Sequence, residues 1–358
     1  VAAFPLSPGS TIGIVGGGQL GRMLALAAAR LGLRVAVLAR EEGSPAGQVC
    51  AVEIVGAYDD PQAIAKLAAI SDVLTFEFEN IPAAVLASVG DTPIAPPAHA
   101  LGVSQDRVEE KTFLNSYGLA TTPFAAIDSA ADIGPALERL GAPALLKTRR
   151  DGYDGKGQVW VKSADEARAV FDAIGRRPAI LEAKAAFVRE LSVIAARGRD
   201  GGVAAYPLGE NRHESGVLRT TLAPADVEPT IQAEALRIAE TLLGALDYVG
   251  VIGVELFALA DGTLLVNEFA PRVHNTGHWT LDGCEVDQFE NHIRAVAGWP
   301  LGPTHALAQV EMTNLLGDEA GDWASLAADP AARLWLYGKR EAAPGRKMGH
   351  VNRLKPLS

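Results

Sequence analysis

Cysteine is scarce: Cys50 and Cys284 are the only two in 358 residues. Two cysteines build no disulfide framework, and their spacing matches no thiolate metal site. No apolar run reaches the roughly 18 residues of a membrane span. The greasiest stretch, 24–38, is interrupted by Arg30 and Arg34. Residues 1–10 have neither the charged start nor the long apolar core of a secretory signal, so a reducing cytoplasm is the expected setting. An excess of positive charge is missing as well. The net charge of −11 argues against nonspecific nucleic-acid binding, although a local basic cluster can still hold phosphates. Internal repeats and low-complexity segments are absent. What is present is ordinary for a soluble globular protein, with 48% hydrophobic and 21% charged residues. The length suits two or three domains.

The most informative stretch is 264–275. Leu264, Leu265 and Val266 read as the end of a buried strand. Asn267 and Glu268 then arrive where a strand should stay apolar, Pro271 stops the pairing, and Arg272, His274 and Asn275 follow on a loop. Glu255 sits in a second apolar strand, 251–257, and residues 260–262 (Ala-Asp-Gly) read as the hairpin turn between the two strands. The hairpin brings two carboxylates together on one sheet, where they repel unless a cation lies between them. Asn267 beside them makes a hard-oxygen site suited to Mg²⁺.

The chain starts as a βαβ unit. A strand over 11–15 leads into Gly16-x-Gly18-x-x-Gly21, then a helix from about Met23 to Leu31, and a strand over 35–38. The glycine pattern matches the dinucleotide fingerprint. With Arg40 where an acid would meet the ribose of NAD, its literal cofactor would be NADP. A lone glycine fingerprint is a weak signal, and the alternative is that the same glycines serve a tight turn and close helix packing. A third strand over 72–78 ends in Glu77 and Glu79. A proline-initiated helix over 82–89 and a short strand near 93–95 then close the first unit at Pro96-Pro97. Carboxyl ends of parallel strands are ligand positions, which makes Glu77 and Glu79 substrate ribose candidates.

A helix is expected from Ser104, as its cap, through Tyr117, ended by Gly118. Arg107 in its first turn opposes the helix dipole, which points to an anion partner. Thr121-Thr122-Pro123 leads into a smaller domain. The strand 144–147 ends in Lys147, and residues 148–159 form a glycine-rich, charged loop able to lay amides over phosphate oxygens. It lacks the Lys-Ser/Thr pair of a Walker loop. A strand over 179–183 carries Glu182, and Glu190 precedes or begins another. The polar stretch 206–219 includes His213, flanked by Asn211, Arg212 and Glu214.

This order of parts resembles the ATP-grasp superfamily. Residues 18–23 (Gly-Gln-Leu-Gly-Arg-Met), 76–81 (Phe-Glu-Phe-Glu-Asn-Ile) and 152–158 (Gly-Tyr-Asp-Gly-Lys-Gly-Gln) are similar to the 5-(carboxyamino)imidazole ribonucleotide synthase family within it. So are residues 267–280 and 344–350 (Pro-Gly-Arg-Lys-Met-Gly-His), and together these stretches span about 11–353. Phe269, Ala183 and Lys184 depart from the family pattern.

The resemblance implies an α/β chain (α+β overall) with an ATP-grasp fold. A Rossmann-like pre-ATP-grasp domain would cover 1–103, a linker helix and small mobile domain 104–187, and a large domain 188–358. The implied activity joins bicarbonate to 5-aminoimidazole ribonucleotide through carboxyphosphate, hydrolysing ATP to ADP and phosphate in purine synthesis. A formate-dependent purine transformylase is the alternative within the superfamily. The resemblance implies that Mg-ATP is held by Arg107, Lys147, Gly152, Tyr153, Asp154, Gly155, Lys156, Gly157, Gln158, Glu182, Ala183, Lys184, Ala185, Glu190, His213, Asn267 and Glu268. Glu255 and Glu268 would be the metal ligands. Gln19, Leu20, Glu77, Tyr153, Asp154, Arg272, His274, Lys339, Arg346 and Lys347 would meet the other substrates, with Arg272, His274 and Asp154 catalytic. Gly345 and Gly349 would allow close approach around the last three cations. A cytoplasmic homodimer, with no nucleic-acid or membrane partner, is implied as well.

Overall fold

In the computed structural model, which describes residues 3–87, 89–150, 152 and 157–357, the apolar runs become strands of three separate sheets. The first contains β1 (Thr11–Val15), β2 (Arg34–Ala39), β3 (Val52–Val55) and β4 (Val73–Phe76), all parallel in the order β3-β2-β1-β4. Helices cover both of its faces, as all-parallel pairing requires. The helix Gln19–Arg30 begins at Gln19, not Met23, because extended Gly18 is its N-cap. Gly21 lies inside the first turn, where a Cβ would come within 2.6 Å of the Gly16 carbonyl oxygen. The strand near 93–95 shrinks to a single bridge between Leu74 and Ile94, and the helix over 82–89 is the shorter Ala83–Ala87.

The second sheet is antiparallel. It contains β5 (Phe124–Ile127), β6 (Ala144–Thr148), β7 (Gln158–Val161) and β8 (Ala179–Ala183), in the order β5-β8-β6-β7. Helices Ile133–Leu140 and Ala164–Ala173 close its core around Ile127, Ile133, Leu146 and Phe171.

The third sheet has nine strands: β9 (Phe187–Arg197), β10 (Val203–Ala205), β11 (Gly209–Glu214), β12 (Val217–Ala223), β13 (Gly250–Leu259), β14 (Leu264–Ala270), β15 (Gln309–Leu316), β16 (Ala332–Leu336) and β17 (Lys347–Lys355). Their order is β14-β13-β9-β11-β12-β15-β17-β16, with β10 beside β9. The β11–β12 hairpin turns on Ser215 and Gly216, both at positive φ. Its strands carry too few apolar residues to show an alternating pattern, so the sequence marked only a polar stretch there. The helix Pro229–Ala245 packs on one face of this sheet and Gln288–Ala297 on the other. The second of these helices also touches Gln19–Arg30, so one apolar core joins the first sheet to the third. Buried His292 fastens the same junction. Its Nδ1 accepts from the Val251 amide at 3.1 Å, and its Nε2 lies 2.8 Å from Thr75 Oγ1. Burial holds this imidazole neutral, at about 3.

The linker between the first and second sheets corrects the expectation for Ser104. That residue ends one helix, Ala98–Ser104, and its hydroxyl donates to the Leu101 carbonyl. The next helix, Arg107–Ser116, is capped by Asp106, which accepts from the Val108 and Glu109 amides. A carboxylate is the stronger cap here because it also receives Arg149 Nε at 2.9 Å and Arg150 Nε at 3.2 Å. Asp106 therefore ties the helix bearing Arg107 to the end of β6.

Asp106→Ala should lose both the cap and a nearly buried ion-pair partner, about 2–4 kcal/mol together. Denaturant unfolding would measure it, and an unchanged midpoint would refute the tie. Burial pushes the Asp106 carboxyl up, but the Arg149 hydrogen bond and the helix amides outweigh it, leaving it below its ordinary value. Its contribution should thus be full above the usual carboxylate range and fade only as pH falls through the lowered value.

Candidate functional site

The hairpin forms as the sequence suggests. Leu259 donates its amide to the Thr263 carbonyl, and Gly262 at φ +85° makes the turn. Glu255 of β13 and Glu268 of β14 are direct cross-strand partners, and the next pair is Leu256 with Val266. Asn267 is the extra residue of a bulge, the device by which strands re-aim side chains next to functional sites. Glu268 Oε2 accepts from Arg107 at 2.8 Å, and Arg107 also donates to the Gly152 carbonyl at 2.8 Å. The two carboxyls are driven apart in acidity. Burial, then the charge of Glu268, pushes Glu255 up to about 7. Burial would raise Glu268 too, but Arg107 and Lys147 outweigh it and hold Glu268 at about 2. A divalent cation would relieve this repulsion, and the oxygen donors fit Mg²⁺. Among the described residues no cluster of three or more His, Cys, Asp or Glu side chains forms a metal cage. A Mg²⁺ ion held by this pair would take its other ligands from water and phosphate oxygens.

A buried charge network lies behind this pair. Lys147, at the end of β6, donates to Glu182 of β8 at 2.9 Å. Lys111 lies 3.6 Å from the same carboxylate and donates to the Asn267 carbonyl at 3.1 Å. The side chain of Glu182 is thus committed to two lysines. Lys111 and Glu110, which accepts from the Phe269 amide at 2.8 Å, were not among the sequence candidates. The available signal was their spacing: Lys111 stands one helical turn after Arg107. Burial, then Glu268, pushes Glu110 up to about 8.

Ala183 donates its amide to the Pro123 carbonyl at 2.9 Å, and exposed Lys184 and half-buried Ala185 lead on into β9. Glu190 of β9 lies 2.5 Å from His213 Nδ1 of β11. Burial lowers the His213 imidazole, but Glu190 and Glu255 outweigh it and raise it above its usual value. Gly157, at φ +75°, gives its carbonyl to the Thr148 amide, and Gln158 pairs with Lys147 across β6 and β7. Tyr153, Asp154, Gly155 and Lys156 lie outside the described residues.

A cleft of about 810 Å³ opens where the three sheets meet, lined by Arg107, Gly152, His213, Glu255 and Glu268. It is also lined by Gln19, Leu20, Glu77, Arg272, His274, Lys339, Arg346 and Lys347. The glycine fingerprint at its edge holds the protein's own carboxylate. Glu77 accepts from the Gly18 amide and, at 2.9 Å, from the Gly21 amide. The amides that a dinucleotide phosphate would use are therefore taken by a side chain just past the end of β4. A Cβ at Gly16 would fall 2.2 Å from Glu77 Cγ, which explains that glycine.

Glu79 accepts from Arg272 Nε, which turns the guanidinium toward the cleft. His274 Nε2 lies 3.5 Å from Glu255 Oε1, and its Nδ1 lies 2.9 Å from Thr276 Oγ1. Burial, then Arg272 and Lys347, holds His274 at about 3, so it is neutral at physiological pH. Lys339 donates to the Lys347 carbonyl at 2.6 Å, and exposed Arg346 to the Glu341 carbonyl at 2.9 Å. The flanking glycines differ from expectation. Gly345 supplies a positive φ in open space, and the close approach at Gly349 is to the Trp335 carbonyl of β16.

Comparison with known proteins agrees along nearly the whole chain. Residues 10–105 match the ribonucleotide synthetase preATP-grasp domain and residues 112–289 the ATP-grasp domain. Residues 311–356 match the phosphoribosylaminoimidazole carboxylase C-terminal domain. The N5-carboxyaminoimidazole ribonucleotide synthase of Brucella melitensis biotype 1 is 53% identical over 98% of both chains. The Staphylococcus aureus N5-carboxyaminoimidazole synthetase complexed with ADP superposes with TM-score 0.94 at 36% identity, over 99% of this chain and 95% of that one. The Aspergillus clavatus N5-carboxyaminoimidazole synthase in complex with ADP and 5-aminoimidazole ribonucleotide gives 0.92 at 32% identity, over 98% and 94%. The chain thus belongs to the N5-carboxyaminoimidazole ribonucleotide synthase family, ATP-grasp ligases that convert 5-aminoimidazole ribonucleotide to its N5-carboxy derivative in purine biosynthesis.

Proposed function

We propose that the cleft activates bicarbonate as carboxyphosphate and delivers it to the amine of 5-aminoimidazole ribonucleotide. One observation carries this reading. The Arg272–His274 loop directly follows the hairpin that bears the carboxylate pair, and the cations Lys339, Arg346 and Lys347 line the same cleft. The relative holding both ADP and 5-aminoimidazole ribonucleotide supports these substrates. The chain has units at 1–103, 104–187 and 188–358 in this reading, and family resemblance supports a cytoplasmic homodimer.

ATP lies between the second and third sheets. Lys147 and Arg107 meet its phosphates, with Glu182, Ala183, Lys184 and Ala185 near the base, and Glu190 and His213 at the ribose. The family resemblance gives residues 152–158 the role of excluding water, which would protect carboxyphosphate. Glu255, Glu268 and Asn267 would hold Mg²⁺, which when bound neutralises charge on the β- and γ-phosphoryl oxygens. A bicarbonate oxygen attacks the γ-phosphorus, the bond to the β–γ bridging oxygen breaks, and ADP leaves. The bond between the carboxyl carbon and the phosphoryl-bearing oxygen breaks, inorganic phosphate departs, and the amine nitrogen bonds to that carbon, either in carboxyphosphate itself or in the CO₂ it releases, with the amine proton passing to Asp154.

Arg272 supplies the charge that holds bicarbonate. Neutral His274 donates a hydrogen bond without adding a second charge. Gln19, Leu20, Glu77 and Tyr153 orient the aminoimidazole ribonucleotide, and Lys339, Arg346 and Lys347 take its 5′-phosphate.

Glu268→Gln should lower kcat by about 100-fold or more. ADP release and carbamate formation would be followed together, with circular dichroism reporting an intact fold. Unchanged turnover would sink the metal assignment. Lys347→Ala should raise KM for 5-aminoimidazole ribonucleotide by about 10- to 100-fold, the worth of a charge-assisted phosphate contact, and leave KM for ATP unaltered. Equal changes in both constants would count against the phosphate site.

A further inference from the structure

Gln288 is fully buried behind the cleft, and its side-chain amide meets the His274 backbone twice. Oε1 accepts the His274 N–H at 2.9 Å, and Nε2 donates to the His274 carbonyl at 2.7 Å. One amide plane satisfies both backbone groups of a loop residue, as a neighbouring strand would. The second Nε2 hydrogen points to His278 Nδ1 at 3.2 Å. These partners fix the amide orientation, because a flipped side chain would set donor against donor and acceptor against acceptor.

The brace is itself anchored. Gln288 opens the helix Gln288–Ala297, capped by Asp287. Its own amide donates to Thr280 Oγ1 at 3.1 Å, and that hydroxyl donates to the Gly277 carbonyl at 2.7 Å. Two glycines record how closely the parts fit. A Cβ at Gly277 would lie 2.8 Å from three atoms of the Gln288 amide, and one at Gly253 would lie 2.5 Å from His274 Cβ. His274 is therefore clamped between β13 and Gln288.

We propose that Gln288 is a positioning residue that fixes the backbone of His274, so that its imidazole faces the Glu255–Glu268 pair, and so sets the use of bicarbonate. The proposal rests on the reading of His274 as a bicarbonate contact. Without the brace, two buried backbone groups lose their partners and the loop must turn to recover them. A shift of about 1 Å at a reacting group is enough for a large loss of rate.

Steady-state kinetics of the full chain would be measured for Gln288→Leu, His274→Ala and the double variant, varying bicarbonate, Mg-ATP and 5-aminoimidazole ribonucleotide in turn. Gln288→Leu keeps the bulk and removes the hydrogen bonds. It should raise KM for bicarbonate by about 10-fold or more and leave KM for ATP within about twofold. It should add nothing in the His274→Ala background, because both changes act through one residue. A lowered Tm with bicarbonate kinetics unchanged would overturn the proposal, as would additive losses in the double variant. If His274→Ala alone leaves bicarbonate kinetics unchanged, the His274 reading fails and the proposal goes with it. Should Gln288→Leu not fold, Gln288→Asn has the amide but not the reach. The same split between bicarbonate and ATP is expected of it, and no split would overturn the proposal.

Discussion

Two carboxylates set side by side on neighbouring strands dominate this structure. Glu255 and Glu268 are cross-strand partners, and among the described residues only Glu268 has a close guanidinium, that of Arg107. Like charges on one face of a sheet destabilise it, and here the surroundings divide the burden. Glu268 is held ionised by cations from other elements, while Glu255 is pushed toward its neutral form. A cation between the two carboxylates would relieve the remaining repulsion.

The surrounding architecture brings cations to that point from separate parts of the chain. Arg107 and Lys111 come from a helix capped by Asp106, and Asp106 is itself held by Arg149 past the end of β6. The backbone joins in: Thr121 bridges to Val266, and the Val266 amide donates to the Ala120 carbonyl at 2.8 Å. The start of the second sheet is therefore fastened to the strand that carries Glu268. On the other side, Glu79 from beyond β4 aims Arg272, and His292 joins β4 to β13. The cleft thus lies where residues from all three sheets and the linker helix meet, with Arg107 paired to Glu268 and Arg272 to Glu79.

Much of the architecture could be read from the residues. The hairpin, its turn and the pairing of its carboxylates follow from apolar runs interrupted by acids, because a strand in a core carries a charge only when something needs it. Lys147 at the end of an apolar run was visible for the same reason. The β11–β12 hairpin escaped detection because its strands lack an apolar alternation. Ser104 looked like a cap because hydroxyl caps are common, whereas Asp106 wins by its arginine partners. Lys111, Glu110 and Gln288 gave no local signal stronger than a polar residue on a helix.

By itself the chain determined the βαβ opening, the strand that delivers Glu268 and the family to which the protein belongs, since these depend on neighbours within a few residues or on ordered motifs. Tertiary structure alone decided which charge meets which. Glu77 fills the glycine loop from 56 residues beyond Gly21, and Gln288 grips His274 from 14 residues away. The physical reason is that a buried polar group must find a partner in space, and spacing along the chain says nothing about which one it finds.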